Sequence, residues 1–172
     1  MPGSPAGGDA ASGHVVVRRC TESDVAALEA GEPPGSGYAR GAFARQKADA
    51  VDFLVAVVVD DGSVVGSAEL TNDEPPELKN LGVDDAARGR GVGTALIRAA
   101  ELIVDARILG AGVGQRALVV GVGLDNPRAA ALYERLGYRR TGVQTSTTYG
   151  YVDAEGVTHT VTERDEELIK RW

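Results

Sequence analysis

The stretch Glu77–Leu96, ELKNLGVDDAARGRGVGTAL, constrains the fold more than any other part of the chain. It reads as three pieces joined without slack. Leu78–Val83 has the composition of a short strand, Asp84–Gly91 is a tight glycine-bearing turn, and an alanine- and leucine-rich helix begins at Val92. The turn carries Arg88-Gly89-Arg90-Gly91-Val92-Gly93. Backbone N–H groups at a helix start have no intrahelical partner, and the helix dipole adds partial positive charge there. Glycines remove the side chains that would hold an anion off the backbone. Arginines add full charge and planar donor forks. The segment therefore has the makings of a phosphate cradle.

Three such cradles compete, beside a glycine turn that merely caps a helix. An ATP or GTP loop needs GxxxxGK[ST], and here no lysine follows the glycines. A dinucleotide-binding turn needs GxGxxG, whereas Gly89, Gly91 and Gly93 are spaced GxGxG. The third pattern, [Q/R]xxGxG, is met by Arg88, Gly91 and Gly93.

Length and composition narrow the class. A chain of 172 residues with 43% apolar side chains can bury a core as one domain. It contains no apolar run near the ~20 residues that span a bilayer. The start lacks the basic-then-apolar pattern of a signal peptide, and a lone cysteine, Cys20, permits no internal disulfide. A cytoplasmic protein is expected. His14 and His159 have no spaced cysteine partners, so no metal site is expected. The net charge of −7 is uneven: residues 1–86 sum to −9 and residues 87–172 to +2. The glycine turn opens the half that would tolerate an anionic cofactor. The acidic first half would repel nucleic acid and attract a cationic acceptor, or simply keep the protein soluble.

In order, residues 2–13 are almost all Pro, Gly, Ser and Ala and read as a flexible tail, leaving 14–172 as one domain. Val15–Arg19 is a strand. Thr21 to Asp24 is an N-cap signal for a helix reaching about Ala30. Tyr38–Ala50 is a second short helix. Asp52–Asp60, apolar on both faces, is a central strand, and Asp60-Asp61-Gly62 turns it into the hairpin partner Ser63–Thr71. Val92 to Leu109 has an apolar stripe of Ala95, Leu96, Ala99, Ile103 and Ala106. Ala117–Val122 is a buried strand. Asn126 is a helix N-cap, with Pro127 first in that helix and Gly137 just past its end. Strands follow at Arg139–Thr145 and Gly156–Thr162, and ERDEELIKRW is a charged tail that can pack Leu168, Ile169 and Trp172 back on the body.

The segment NPRAAALYERLGY, Asn126 to Tyr138, supplies a second signature. An asparagine at a helix start, a tyrosine on the helix and a Gly-aromatic pair at its end follow the Arg88–Gly93 pattern after room for one helix and one strand. Together the two motifs resemble the GNAT superfamily of acyl-CoA-dependent N-acetyltransferases, over about Val15 to Trp172. The resemblance implies an α+β fold: a twisted, mostly antiparallel sheet of about six to seven strands flanked by about four helices. It also implies fourth and fifth strands that splay apart around the pantetheine arm of acetyl-CoA.

The resemblance assigns roles residue by residue. The amides of Gly89, Arg90, Gly91, Val92, Gly93 and Thr94 would hold a diphosphate, with Arg88 and Arg90 as charged helpers. A backbone N–H among Leu81, Gly82 and Val83 would polarise the thioester carbonyl. Asn126 would cap its helix and reach the pantetheine. Tyr133 is the candidate general acid, since a phenol (pKa ~10) can stay protonated beside a departing thiolate (~8.5). Glu77 is the candidate general base, eleven residues before Arg88, where the histone-acetylating branch places its glutamate. Glu69 and bulk water are its rivals. Direct attack in a ternary complex on an amine, small-molecule or protein, is the expected route. Asp73, Glu74, Glu77, Asp84 and Asp85 favour a cationic acceptor. No nucleic-acid or membrane partner is expected, and the superfamily analogy allows a homodimer. A non-catalytic acyl-CoA sensor and a dinucleotide-binding oxidoreductase are the competing classes.

Overall fold

The computed structural model describes residues 14–153 and 155–172, so the expected N-terminal tail lies outside the described residues. The elements are β1 (Val15–Arg19), α1 (Glu22–Ala30), α2 (Tyr38–Lys47), β2 (Val51–Val58), β3 (Val64–Thr71), β4 (Glu77–Val83), α3 (Val92–Ala111), β5 (Ala117–Gly123), α4 (Pro127–Arg135), β6 (Arg139–Val152) and β7 (Thr158–Arg171), with a 3-10 turn at Asp85–Ala87. The strands form a 7-stranded sheet in the order β1-β2-β3-β4-β5-β7-β6. Among the described residues only β4 and β5 pair in parallel. This is the mixed, mostly antiparallel sheet with four helices that the motifs imply. Among the described residues no helix is long and apolar enough to cross a membrane.

The apolar strand β2 shows how both faces are covered. Successive side chains of a strand point to opposite faces. Phe53 and Val55 join Val25, Ala39 and Ala42 under α1 and α2. Leu54 and Ala56 join Leu96, Ile97 and Ala100 of α3, together with Tyr133 of α4, on the other side. A Cβ at Gly66 of β3 would stand 2.9 Å from the Gly82 carbonyl and 3.1 Å from a Val92 methyl. That glycine lets the first turn of α3 sit directly on β3 and β4.

Two expectations are corrected. The buried face of α3 is Val92, Leu96, Ile97, Ala100, Glu101 and Val104, which shares only Leu96 with the predicted stripe of Ala95, Leu96, Ala99, Ile103 and Ala106. A helix apolar most of the way round does not declare its inner face, and the sheet takes the bulkier one. Glu101 can enter because Lys170 Nζ at 2.8 Å, Arg98 at 2.7 Å and the Tyr138 hydroxyl at 3.1 Å all donate to it. The second correction concerns the charged C-terminal segment, which is not a tail. It continues β7 between β5 and β6, with Leu168 fully buried. Two of its charges are matched across the fold, Lys170 by Glu101 and Glu166 by Arg140.

Strand β4 is bent where the site will be. Ser67 pairs with Gly82 but Glu69 with Lys79, so β4 carries one extra residue there. Asn80 absorbs the bulge at φ 54, a left-handed conformation that asparagine tolerates better than most residues. Pairing of β4 with β5 is limited to Glu77 with Val119 and Leu78 with Val120. Beyond those pairs β5 stays with β7 while β4 follows β3, and the two strands part.

Candidate active site

The parted strands open beside the glycine turn. Gly89 (φ 75) and Gly91 (φ 83) take left-handed conformations that only glycine adopts without strain, and Gly91 caps α3. The first bond of the helix runs from Ala95 N–H to the Gly91 carbonyl at 2.9 Å. Among the described residues no N–H from Gly89 to Thr94 donates to a backbone or side-chain acceptor.

These amides border a cleft of about 460 Å³. Leu81, Gly82 and Val83 of β4, Arg88, Gly89, Gly91 to Thr94, and Asn126 all line it. Arg90 is exposed and is not on the cleft wall. A Cβ at Gly93 would lie within 3.6 to 3.9 Å of Leu132, Leu81 and Val83, so a side chain there would project into the cleft. The far wall is α4, which adds Arg128, Ala129, Leu132 and Arg135. Three arginines and no carboxylate line the cleft. Arg88 is partly engaged, its Nε donating to the Val83 carbonyl at 3.2 Å and Nη1 pairing with Asp85 at 2.8 Å.

Asn126 caps α4, its Oδ1 accepting from Ala129 N–H at 3.1 Å. Its side-chain NH₂ has no acceptor among the described residues, so capping leaves its donors available to the cleft. Tyr133, two turns further and 6% exposed, packs edge-on against Tyr138 at 5.6 Å between ring centroids. Burial pushes its pKa up to about 12. No group among the described residues hydrogen-bonds its hydroxyl, and no fully buried polar atom lacks a partner, so that hydroxyl touches accessible space. Tyr133 is on the α3/α4 side of the sheet but is not part of the cleft wall.

Glu77, the first residue of β4, is held by its own N–H, which donates to Thr71 Oγ1 at 2.9 Å. Leu78 faces the α3/α4 core, so strand alternation turns Glu77 to the opposite face. Its Oε1 lies 3.8 Å from where a Gly121 Cβ would stand, so the carboxylate lies over the bare backbone of β5. Glu77 and Tyr133 thus lie on opposite faces of the sheet.

The rival base, Glu69, is engaged elsewhere. It is 0% exposed, and Tyr38 Oη (2.8 Å) and Asn80 Nδ2 (2.9 Å) donate to one oxygen. Arg45 Nε and Nη2 donate to the other at 3.0 and 2.9 Å. Burial alone would raise its pKa, but the Asn80, Arg45 and Tyr38 hydrogen bonds prevail and hold it below the usual carboxylate range. Every lone-pair direction is used in binding α2 to the β4 bulge. Cys20 is buried and its thiol is pushed up to about 12 by burial, which suits no nucleophilic role. No metal-ligating cluster occurs among the described residues.

Arg128 and Arg135 escaped the sequence reading. Their spacing, seven residues along one helix face, was visible, but which element that face meets was not.

A sheet parted beside an unbonded helix start defines the acyltransferase class that the two motifs imply. The family model "Acetyltransferase (GNAT) family" matches residues 19–138. The N-alpha-acetyltransferase RimI of Mycobacterium tuberculosis is 34% identical over 132 residues, 74% of this chain and 75% of that protein. The fold also matches the ribosomal-protein-S18-alanine N-acetyltransferase of Escherichia coli, with TM-score 0.61 and 20% identity over 92% of this chain and 94% of that one. It matches the PaiA N-acetyltransferase of Thermoplasma acidophilum, solved with coenzyme A, with TM-score 0.63 and 16% identity over 92% and 99%. The chain belongs to the GNAT family of acetyltransferases.

Proposed function

We propose that this chain transfers an acetyl group from acetyl-CoA to a primary amine by direct attack in a ternary complex, with residues 14–172 acting as one catalytic domain. The observation that carries the proposal is the unbonded run of amides from Gly89 to Thr94, bordering a cleft that holds arginines and no carboxylate. Those donors fit a diphosphate in number and charge. With a diphosphate on α3, a pantetheine arm has the β4–β5 opening to pass through.

The roles then follow from position. The backbone of Leu81–Val83 offers N–H groups toward the carbonyl oxygen, where developing charge is stabilised. Glu77 receives the amine proton from the opposite face. Tyr133, protonated at any working pH, gives its proton to the leaving sulfur. Binding donor and acceptor from opposite faces of one opening aligns them for attack. The α-amino group of a polypeptide is the acceptor class to test first. The relative in Mycobacterium tuberculosis is an N-alpha-acetyltransferase, and the structural neighbour in Escherichia coli is named for an alanine of a ribosomal protein.

The test is a thermal shift with acetyl-CoA combined with a free-thiol assay over a panel of peptides, polyamines and aminoglycosides. A ligand at ~100 times its Kd stabilises by roughly 2.7 kcal/mol, which a melting curve resolves. Stabilisation with thiol release is the expected result. Stabilisation without release on any amine indicates an acyl-CoA sensor, and a response to NAD(H) but not to CoA discards the proposal. Within the active enzyme, Glu77→Gln should lower kcat/KM by about 10²-fold. A variant with wild-type kcat/KM leaves proton removal to water.

A further inference from the structure

The bulge in β4 is held by a buried charge where packing alone would attach the helix beside it. Glu69 is ionised and fully buried, and taking a carboxylate out of water is costly. Apolar side chains of similar volume often replace a buried ion pair without loss of stability. Helix α2 also has other attachments: Ala39 and Ala42 are buried beneath it, and Gln46 bonds the Cys20 carbonyl and the Phe53 N–H. What the carboxylate adds is a grip on Asn80. An ionised carboxylate only accepts, so Asn80 must turn its amide nitrogen toward Glu69, and Nδ2 donates at 2.9 Å. Arg45 and Tyr38 hold the carboxylate from α2, which makes it a fixed anchor.

Asn80 has little else to hold it. Neither Asn80 nor Leu81 has a register partner on β3 or β5. Asn80 is exposed and sits at φ 54. Among the described residues its bond to Glu69 is the one side-chain hydrogen bond that the bulge makes. Its side chain reaches toward α2, while Leu81, next in the chain, lines the cleft. The peptide joining them is planar, and its N–H is that of Leu81, so the backbone angles of Asn80 set the direction of that amide. We infer that Asn80 is a positioning residue: gripped by Glu69, it fixes the direction of the Leu81–Val83 amides on the thioester carbonyl of the donor. The inference rests on the acetyl-CoA reading above. A donor aimed in advance at developing charge stabilises it without reorganising, which gives the buried anchor a use that packing does not.

The experiment is infrared difference spectroscopy of acetyl-CoA carrying a heavy carbon at the thioester carbonyl, bound at saturation to the full chain. Calorimetry gives the affinity and a melting curve the stability of each protein. The proteins are wild type, N80G and N80A. Glycine takes a positive φ without strain, so N80G removes the tether and leaves the bulge conformation open to the chain. N80A removes the tether and penalises that conformation as well. A hydrogen bond to a carbonyl oxygen weakens the C=O bond and lowers its stretching frequency. Wild type should therefore show one narrow band below that of free acetyl-CoA. Both variants should show a broader band returned toward the free position. Their Kd for acetyl-CoA should stay within about twofold of wild type, well short of a tenfold step, because the glycine turn is untouched. Lower melting temperatures with the band left in place mean that Asn80 only stabilises the fold, and overturn the inference. So does a wild-type band at the free frequency. Either result leaves the acetyl-CoA reading standing, whereas a wild type that does not bind acetyl-CoA overturns both.

Discussion

Tyr133→Phe is expected to lower turnover at saturating acetyl-CoA by about 10²-fold or more, the usual worth of a positioned general acid. The donor dissociation constant should stay within about twofold, because the ring and its packing on Tyr138 are retained and only the hydroxyl is lost. The pKa supports the assignment. Burial raises the phenol to about 12, so it stays protonated through the neutral range in which a departing thiolate needs a proton. A phenol that does not ionise near neutrality also contributes no basic limb to the rate profile. Any such limb below pH ~10 belongs to another group and should persist, at reduced amplitude, in the variant. Single-turnover thiol release across a pH series checks both points. Turnover equal to wild type at saturating donor would remove Tyr133 from the mechanism and leave it a packing residue.

Glu69→Gln should produce the largest loss of stability at the site. The carboxylate is fully buried and accepts from Tyr38, Asn80 and Arg45. A glutamine puts an NH₂ where one of those donors arrives, so donors face each other in a closed site. The expected cost is about 2–3 kcal/mol, held to the lower end because Arg45, 46% exposed, can turn to water. The sign with pH follows from the depressed pKa. Wild-type Glu69 contributes fully above the ordinary carboxylate pKa of ~4.3, and that contribution is lost as pH falls through the lower folded value. The gap between wild type and variant should therefore be widest at neutral pH and narrow below about pH 4. Urea unfolding midpoints at both pH values test this. Equal midpoints at neutral pH would mean that the network does not hold the bulge.

The site's local parts were readable because local backbone rules produce them. Left-handed glycines at 89 and 91, a helix beginning at Val92, and Asn126-Pro127 opening a second helix each depend on a few neighbouring residues. Of the residues the sequence singles out, Leu81 to Val83, Arg88, Gly89, Gly91 to Thr94 and Asn126 line one cleft. Arg90 is the exception. Residues alternate direction within a turn, and only the folded turn shows which arginine faces inward.

What the amino-acid sequence determined by itself was the order of elements, the anion-receptive helix start and the two motifs that define the family. The tertiary structure alone decided three other features. β7 is inserted beside β5, a pairing between segments some fifty residues apart. Glu69 and Glu101 are buried as charged groups, because donors arriving from distant elements offset their desolvation. α4 lies across the glycine turn, which brings Arg128 and Arg135 into the cleft. Turn and cap preferences act over a few residues and so are written locally. Burial of a charge, or the facing of two helices, is set by which remote surfaces meet, and that is resolved only when the whole chain packs.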